Sequence, residues 1–278
     1  MVRWLLAPLR AVVFSAHVLL GVAIVLVIFP FVGQIARNRI NRVWSRILIA
    51  LCGARVVASE FAIPYHLQRD GLDPSTSGRL ALANHVSWMD IFAINAVLPS
   101  RFIAKAEIGQ WPLLGLLVSR AGTLYVERGR RHAVAAMNKT VREHLKLGET
   151  IVVFAEGTTT DGSELLPFHS NVIAPALEVG AAIWPVAIRY TERGKRSAAA
   201  AFIGEIGLFT SLAQILVADQ LIVEVAVLPP VSANDAANRH GVARAARGAI
   251  ARKLGLESES LQRGRDHSSA GCDSGQSR

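Results

Sequence analysis

The chain has 278 residues, 51% of them hydrophobic, and a formal net charge of +9. That length buries one sizeable core with an added membrane element and a tail, so two domains are not required. The positive balance favours anionic partners, phospholipid headgroups or nucleic acid. Its two cysteines, Cys52 in an apolar stretch and Cys272 in a polar tail, exclude a disulfide framework and a zinc spacing and fit a reducing, cytosol-facing location.

In chain order, residues 11–32 are almost continuously apolar, broken mainly by Ser15, His17, Gly21 and Pro30, and long enough to cross a hydrocarbon core. The run exceeds a signal-peptide h-region, and no A-x-A-like site precedes the arginines that follow it. Arg3 and Arg10 precede the run, and Arg37, Arg39, Arg42 and Arg46 follow it, a bias that places the remainder of the chain in the cytoplasm, at the cell membrane. Residues 43–51 are apolar but too short to span, and with their arginines fit the interface. A hairpin dipping into one leaflet therefore stands beside a full span. The expected organisation is a membrane anchor and interfacial segment over 1–53, a catalytic domain over 54–256 and a disordered tail over 257–278.

From residue 54 onward short β-branched runs alternate with helical ones, the pattern of an α/β domain around a largely buried sheet. Strands are predicted over 55–61, 79–83, 101–105, 123–127, 150–155, 182–188, 199–204 and 221–228. The clearest helix spans 131–147, where Val134, Met137, Val141 and Leu145 recur at helical spacing and Gly148 supplies the C-terminal cap. A last helix covers about 235–254. Residues 108–118 would form a helix apolar on every side, which must be buried or face lipid.

Two segments carry polar, proton-handling groups directly after strand-like runs: Asn84-His85-Val86-Ser87-Trp88-Met89-Asp90 and Phe154-Ala155-Glu156-Gly157-Thr158. Residues five apart on a continuous helix lie about 140° apart, so His85 and Asp90 meet only if His85 precedes the helix. The strand at 79–83 and an N-cap signal at Ser87 supply that arrangement. A carboxylate on one imidazole nitrogen would fix the tautomer and stabilise the charged ring while the other nitrogen takes a proton from a hydroxyl. The competing reading is a capping box, with Ser87 as N-cap and Asp90 bonding back to its amide.

His-x4-Asp followed by Phe-x-Glu-Gly-Thr at a strand end resembles the lysophospholipid acyltransferase family, typified by 1-acylglycerol-3-phosphate acyltransferases. Further blocks in the same order support it: Phe102-Ile103-Ala104-Lys105, Gly109 to Pro112, Gly122 to Arg128, and Trp184-Pro185-Val186-Ala187. The resemblance implies a mixed sheet flanked by helices. It implies transfer of a fatty acyl group from an acyl carrier protein or coenzyme A thioester to the hydroxyl of a lysolipid, without metal or other cofactor. His85 would be the base and Asp90 its partner; Glu156, Gly157 and Thr158 would shape the acceptor site, and Arg128 would help bind an anionic headgroup.

Where the family commonly has Phe-Pro-Glu-Gly-Thr-Arg, this chain has Ala155 for the proline and Thr159 for the arginine. An arginine there is a natural bidentate clamp for phosphate. Together with Asp161-Gly162 and Leu166-Pro167-Phe168-His169-Ser170, the change makes the chain most similar to the lyso-ornithine lipid branch, although that branch usually has lysine where His169 stands. The alternatives are an acyltransferase that makes phosphatidic acid and, outside enzymes, a basic membrane-anchored lipid-binding protein. No aromatic-interleaved basic patch points to nucleic acid, no G-x-S-x-G elbow to a serine hydrolase, and no phosphate loop to ATP chemistry.

Overall fold

The computed structural model describes residues 2–59, 63–73, 76–110, 114–126, 131–231 and 238–256. The expected tail at 257–278 and Arg128 lie outside the described residues. The strands are β1 (Arg55–Ser59), β2 (Arg79–Ala83), β3 (Arg101–Lys105), β4 (Leu124–Val126), β5 (Thr150–Phe154), β6 (Ala182–Glu192), β7 (Lys195–Arg196) and β8 (Leu221–Val227). They form one mixed sheet in the order β1-β8-β6-β2-β5-β3-β4, with β7 hairpinned onto β6. Strand β2 runs parallel to both β5 and β6, so its C-terminal end and that of β5 open side by side.

The sheet is buried on both faces, which is why β2 and β5 read as near-continuous apolar runs. Leu80 and Leu82 pack with Ile151, Val153 and Ile183 against Val141 and Leu145 of α6 (Arg131–Lys146) and Val242 and Ala246 of α9 (Arg239–Leu254). On the opposite face lie the small Ala81 and Ala83, which leave room for α4 (Asp90–Val97), itself buried throughout apart from Ile91. A helix so apolar needs cover on its outer side. Trp44, Leu48 and Ile49 of α2 (Gln34–Leu51) supply it.

The predicted membrane segment is α1 (Val2–Val27), the described helix that is long and apolar enough to cross a bilayer. It folds back on α2 through a turn at Phe29–Phe31: the His17 ring stacks on Trp44 at 4.8 Å, and the Trp44 indole donates to the His17 carbonyl at 3.3 Å. The arginines after the run are bonded within the fold. Arg37 donates to the carbonyls of Phe29 and Val32, Arg39 to the Asp70 carboxylate, and Arg42 and Arg46 to the Ala96 carbonyl near the negative end of α4. The arginine pairs hold the Asp70 carboxyl down at about 2; the Arg69 hydrogen bond is the main cause, with Arg39 adding to it against the opposing effect of burial.

Three predicted elements change. Residues 199–204 are turn and loop: the run Ala198 to Ala201 lacks the β-branched side chains that favour a strand, and the Ala201 amide closes a turn on Ala198. Strand β6 runs four residues beyond its expected end at 188, because Arg193 and Gly194, both with positive φ, form the two-residue turn that pairs it with β7. The 108–118 segment divides into a 3-10 turn, Ala106–Gln110, and α5 (Leu114–Arg120), with 111–113 outside the described residues.

Candidate active site

The strand-turn-helix geometry brings His85 and Asp90 together at the C-terminal end of β2. The chain leaves β2 at Ala83, and Asn84, fully buried, takes the place of the next strand residue: its side chain donates to the Ile188 carbonyl at 3.0 Å and accepts from the Ile188 amide at 2.7 Å. The backbone is thereby free to turn outward while the ladder to β6 continues through a side-chain amide. His85 follows in the turn, and Asp90 opens α4.

His85 Nδ1 lies 2.9 Å from Asp90 Oδ2. The same oxygen accepts the Val86 and Ser87 amides at 2.8 and 3.0 Å, and the Tyr190 hydroxyl donates to Oδ1 at 2.6 Å. Asp90 is 0% exposed, and four donors converge on it. Because carboxylate and amides leave it an acceptor, Nδ1 carries the ring proton and Nε2 is left as the basic nitrogen. Among the described residues no protein group bonds Nε2, and the His85 side chain keeps 19% of its surface open. Its ring lies face to face on Phe154, centroids 3.8 Å apart and planes within 11°, which fixes the direction of Nε2.

Half of the capping box is present: Asp90 bonds back to the Ser87 amide, but the residue before the helix is Met89, not Ser87, and no side chain caps the helix amides. The Ser87 hydroxyl instead accepts the Met89 amide at 3.2 Å. One carboxylate thus both closes the turn and holds the imidazole. The two readings of Asp90 are compatible.

Glu156 follows β5, and its carboxylate accepts the His85 amide at 2.9 Å and the Leu166 amide at 2.8 Å. Burial pushes its carboxyl above the usual range, against the two amides, which act in the opposite direction. At 4% exposure with both oxygens bonded to backbone, it shapes the site by holding the His85 turn against the loop after β5. The Thr160 amide completes this join by donating to the His85 carbonyl at 2.9 Å. Gly157 takes a positive φ and its amide closes a turn on Phe154, while Thr158 is exposed at the loop surface. Thr159 turns its hydroxyl onto the Phe202 carbonyl.

Sequence reasoning missed Tyr190. It sits a hundred residues from Asp90 along the chain, is fully buried on β6, and has its phenol pushed well above its ordinary range by burial and then by the Asp90 charge, so it remains a donor. Its signal was weak: a tyrosine at an inward position of a strand, whose hydroxyl needs a buried partner.

Residues 66–189 match the acyltransferase family. The chain is 37% identical over 214 residues to a lyso-ornithine lipid O-acyltransferase of Pseudomonas aeruginosa, covering 77% of this chain and 78% of that one. It is 39% identical over 167 residues to a 1-acyl-sn-glycerol-3-phosphate acyltransferase of Neisseria gonorrhoeae, covering 60% and 65%. The fold also matches the crystal structure of the 1-acyl-sn-glycerophosphate acyltransferase PlsC of Thermotoga maritima, with a TM-score of 0.64 and 16% identity over 92% of this chain and 97% of that one. The chain belongs to the acyltransferase family, and it is an enzyme of that class.

Two substitutions separate charge from shape. In Asp90→Asn the amide oxygen can still accept from His85 Nδ1 and the two backbone amides, while its NH2 donates to Tyr190; only the charge is lost. A hydrogen bond to a charged group contributes about 1.5–3 kcal/mol, so the rate is expected to fall about 10- to 100-fold, against about 10²- to 10⁴-fold for His85→Ala. Steady-state kinetics check this, and an Asp90→Asn enzyme of full activity would reduce Asp90 to a cap. Tyr190→Phe removes the donor on Oδ1, and kcat is expected to fall about tenfold with KM unchanged; a Tyr190→Phe enzyme with full kcat would remove Tyr190 from the site.

Proposed function

We propose that the enzyme moves a fatty acyl group from a thioester to the hydroxyl of a lysolipid, with His85 as general base. His85 Nε2 takes the hydroxyl proton as the oxygen attacks the thioester carbonyl. Collapse of the tetrahedral intermediate expels the thiolate, which recovers that proton from the imidazolium. Asp90 stabilises the imidazolium between the two steps, and Tyr190 and Glu156 hold Asp90 and the His85 backbone in place. A thioester is already activated, so a positioned base and substrate alignment suffice without a protein nucleophile. The observation that carries this reading is the Nδ1-bonded, Phe154-stacked imidazole, partly exposed, whose Nε2 meets no bonding group among the described residues.

A small, mostly apolar cleft lies between α2, α4 and α5, lined by Trp44, Phe92, Phe102 and Leu117, and it would have to widen to take an acyl chain. The cleft lies behind the base, not at it: Phe102 stacks at 6.0 Å on Phe154, which in turn carries the His85 ring. The donor would be an acyl carrier protein or coenzyme A thioester. The protein would sit on the cytoplasmic face of the cell membrane, in line with its arginine bias. The hairpin reading of the anchor is the better supported, because α1 packs along α2, α5 and α8 (Leu208–Val217) and exposes Leu9, Val12, Leu20 and Val27 on its free side, with Phe31 exposed in the turn that follows.

Lyso-ornithine lipid is the favoured acceptor. Thr159 stands where a phosphate-clamping arginine is usual, and its hydroxyl is engaged by Phe202, so this position offers no donor to a phosphate. Identity is slightly higher to the Neisseria enzyme, but the Pseudomonas enzyme aligns over more of both chains. The test is a competition between lyso-ornithine lipid and lysophosphatidate for a labelled acyl thioester, with purified enzyme in vesicles. Preference for lyso-ornithine lipid is expected; preference for lysophosphatidate would return the enzyme to the glycerophospholipid branch, and transfer to neither would overturn the lysolipid reading.

A further inference from the structure

Helix α8 and the loop before it form a second apolar surface beside the anchor. Phe209, in the first turn of α8, is 86% exposed, and Ile203 in the loop is 39% exposed. Between them Ile206 and Leu208 are half-buried, while Gly204, Glu205 and Gly207 are exposed, so the patch carries one carboxylate among its apolar side chains. Singly exposed apolar side chains need no explanation, but a run of them continuous with another apolar surface does. That surface is α1. Arg10 of α1 donates to the Leu216 carbonyl at 3.2 Å, and Phe14 of α1 meets edge-on the Trp88 ring whose indole donates to Ser211 of α8 at 3.0 Å. Leu9, Val12 and Val13 of the same stretch of α1 are exposed.

The loop also reaches the catalytic segments directly. The Phe202 amide donates to the Val86 carbonyl at 2.9 Å, next to His85, and the Phe202 carbonyl accepts the Thr159 hydroxyl. An apolar surface thus begins one residue from a backbone bonded to both catalytic loops.

We infer that residues 203–209 dock into the lipid interface as a second contact beside α1, so that the mouth at His85 opens at the bilayer surface where a lysolipid lies. The occupant is lipid because α8 packs against a helix long and apolar enough to cross a bilayer, on which Leu9, Val12 and Val13 are exposed. An aromatic ring with neighbouring aliphatic side chains at a helix start suits shallow insertion. The inference rests on the proposed membrane anchoring of α1 and adds to it a contact that α1 does not supply.

The test uses full-length protein with Cys272→Ser and one added cysteine, either Phe209→Cys or Val12→Cys, labelled with an environment-sensitive fluorophore. Cys52 does not compete, since burial pushes its thiol up to about 12 and leaves it 0% exposed. Binding is to vesicles of phosphatidylcholine and phosphatidylglycerol that carry a shallow doxyl quencher. Quenching at both positions supports the inference. Quenching at 12 without quenching at 209 overturns it and leaves the anchor standing, whereas quenching at neither removes the anchor and the inference with it. In parallel, Phe209→Ser is expected to raise KM for a lysolipid held in vesicles by about tenfold, with kcat/KM for a short-chain acceptor dissolved as monomer unchanged. An equal loss on both acceptors would overturn the inference, as would conversion of a dimer to a monomer by Phe209→Ser, which would make the patch a contact between two copies of the chain.

Discussion

A carboxylate with no access to water organises this molecule. An ion buried without partners costs several kcal/mol even after relaxation, and Asp90, 0% exposed, escapes that cost only because four donors reach it at once. Two are backbone amides of its own turn, one is the imidazole, and one comes from β6. The demands of that carboxylate therefore dictate where β2 must stop, how tightly the turn must close and which residue of β6 must face inward. The pairing of β2 with both β5 and β6 follows the same logic, since it sets the loop after β5 and Tyr190 on either side of the turn. Asn84 and Glu156 act at the flanks, each replacing backbone pairing that the turn gives up.

This arrangement removes the opposition between a capping residue and a catalytic one. Asp90 begins a helix that is apolar on all sides, and a carboxylate at that end is favoured by the helix dipole whatever else it does. What makes the site more than a helix start is the third donor on Oδ2, an imidazole ring held flat on Phe154. A capping role alone explains the amides and leaves the stacked histidine and the buried tyrosine unexplained.

Local information in the chain was enough for the strands at 79–83 and 101–105, whose bounds agree with the structure, and for the placement of His85 before a helix that opens at Asp90. Each rests on patterns within about ten residues. Tyr190 and the role of Asn84 were not legible, because their partners lie about a hundred residues away and come together only when β6 joins β2. Tertiary pairing also explains why residues 199–204 are not a strand: Phe202 bonds to the loops after β2 and β5, so its amide and carbonyl are not available to a sheet. The arginines after α1 read as a charge bias, yet their donors are fixed by Phe29 and Val32 in the turn and by Asp70 and Ala96 beyond it, contacts that form only when α2 docks on the rest of the fold.

The central claim is that Asp90 holds His85 as a base with Nδ1 protonated and Nε2 open. Nitrogen-15 NMR of the histidine-labelled enzyme at neutral pH reads this directly, with His85→Ala to assign the resonance. The account requires Nδ1 to show the shift of a protonated nitrogen and Nε2 that of an unprotonated one. A proton on Nε2 with Nδ1 bare would contradict it, since Asp90 would then have to be the donor and could not stabilise a charged ring.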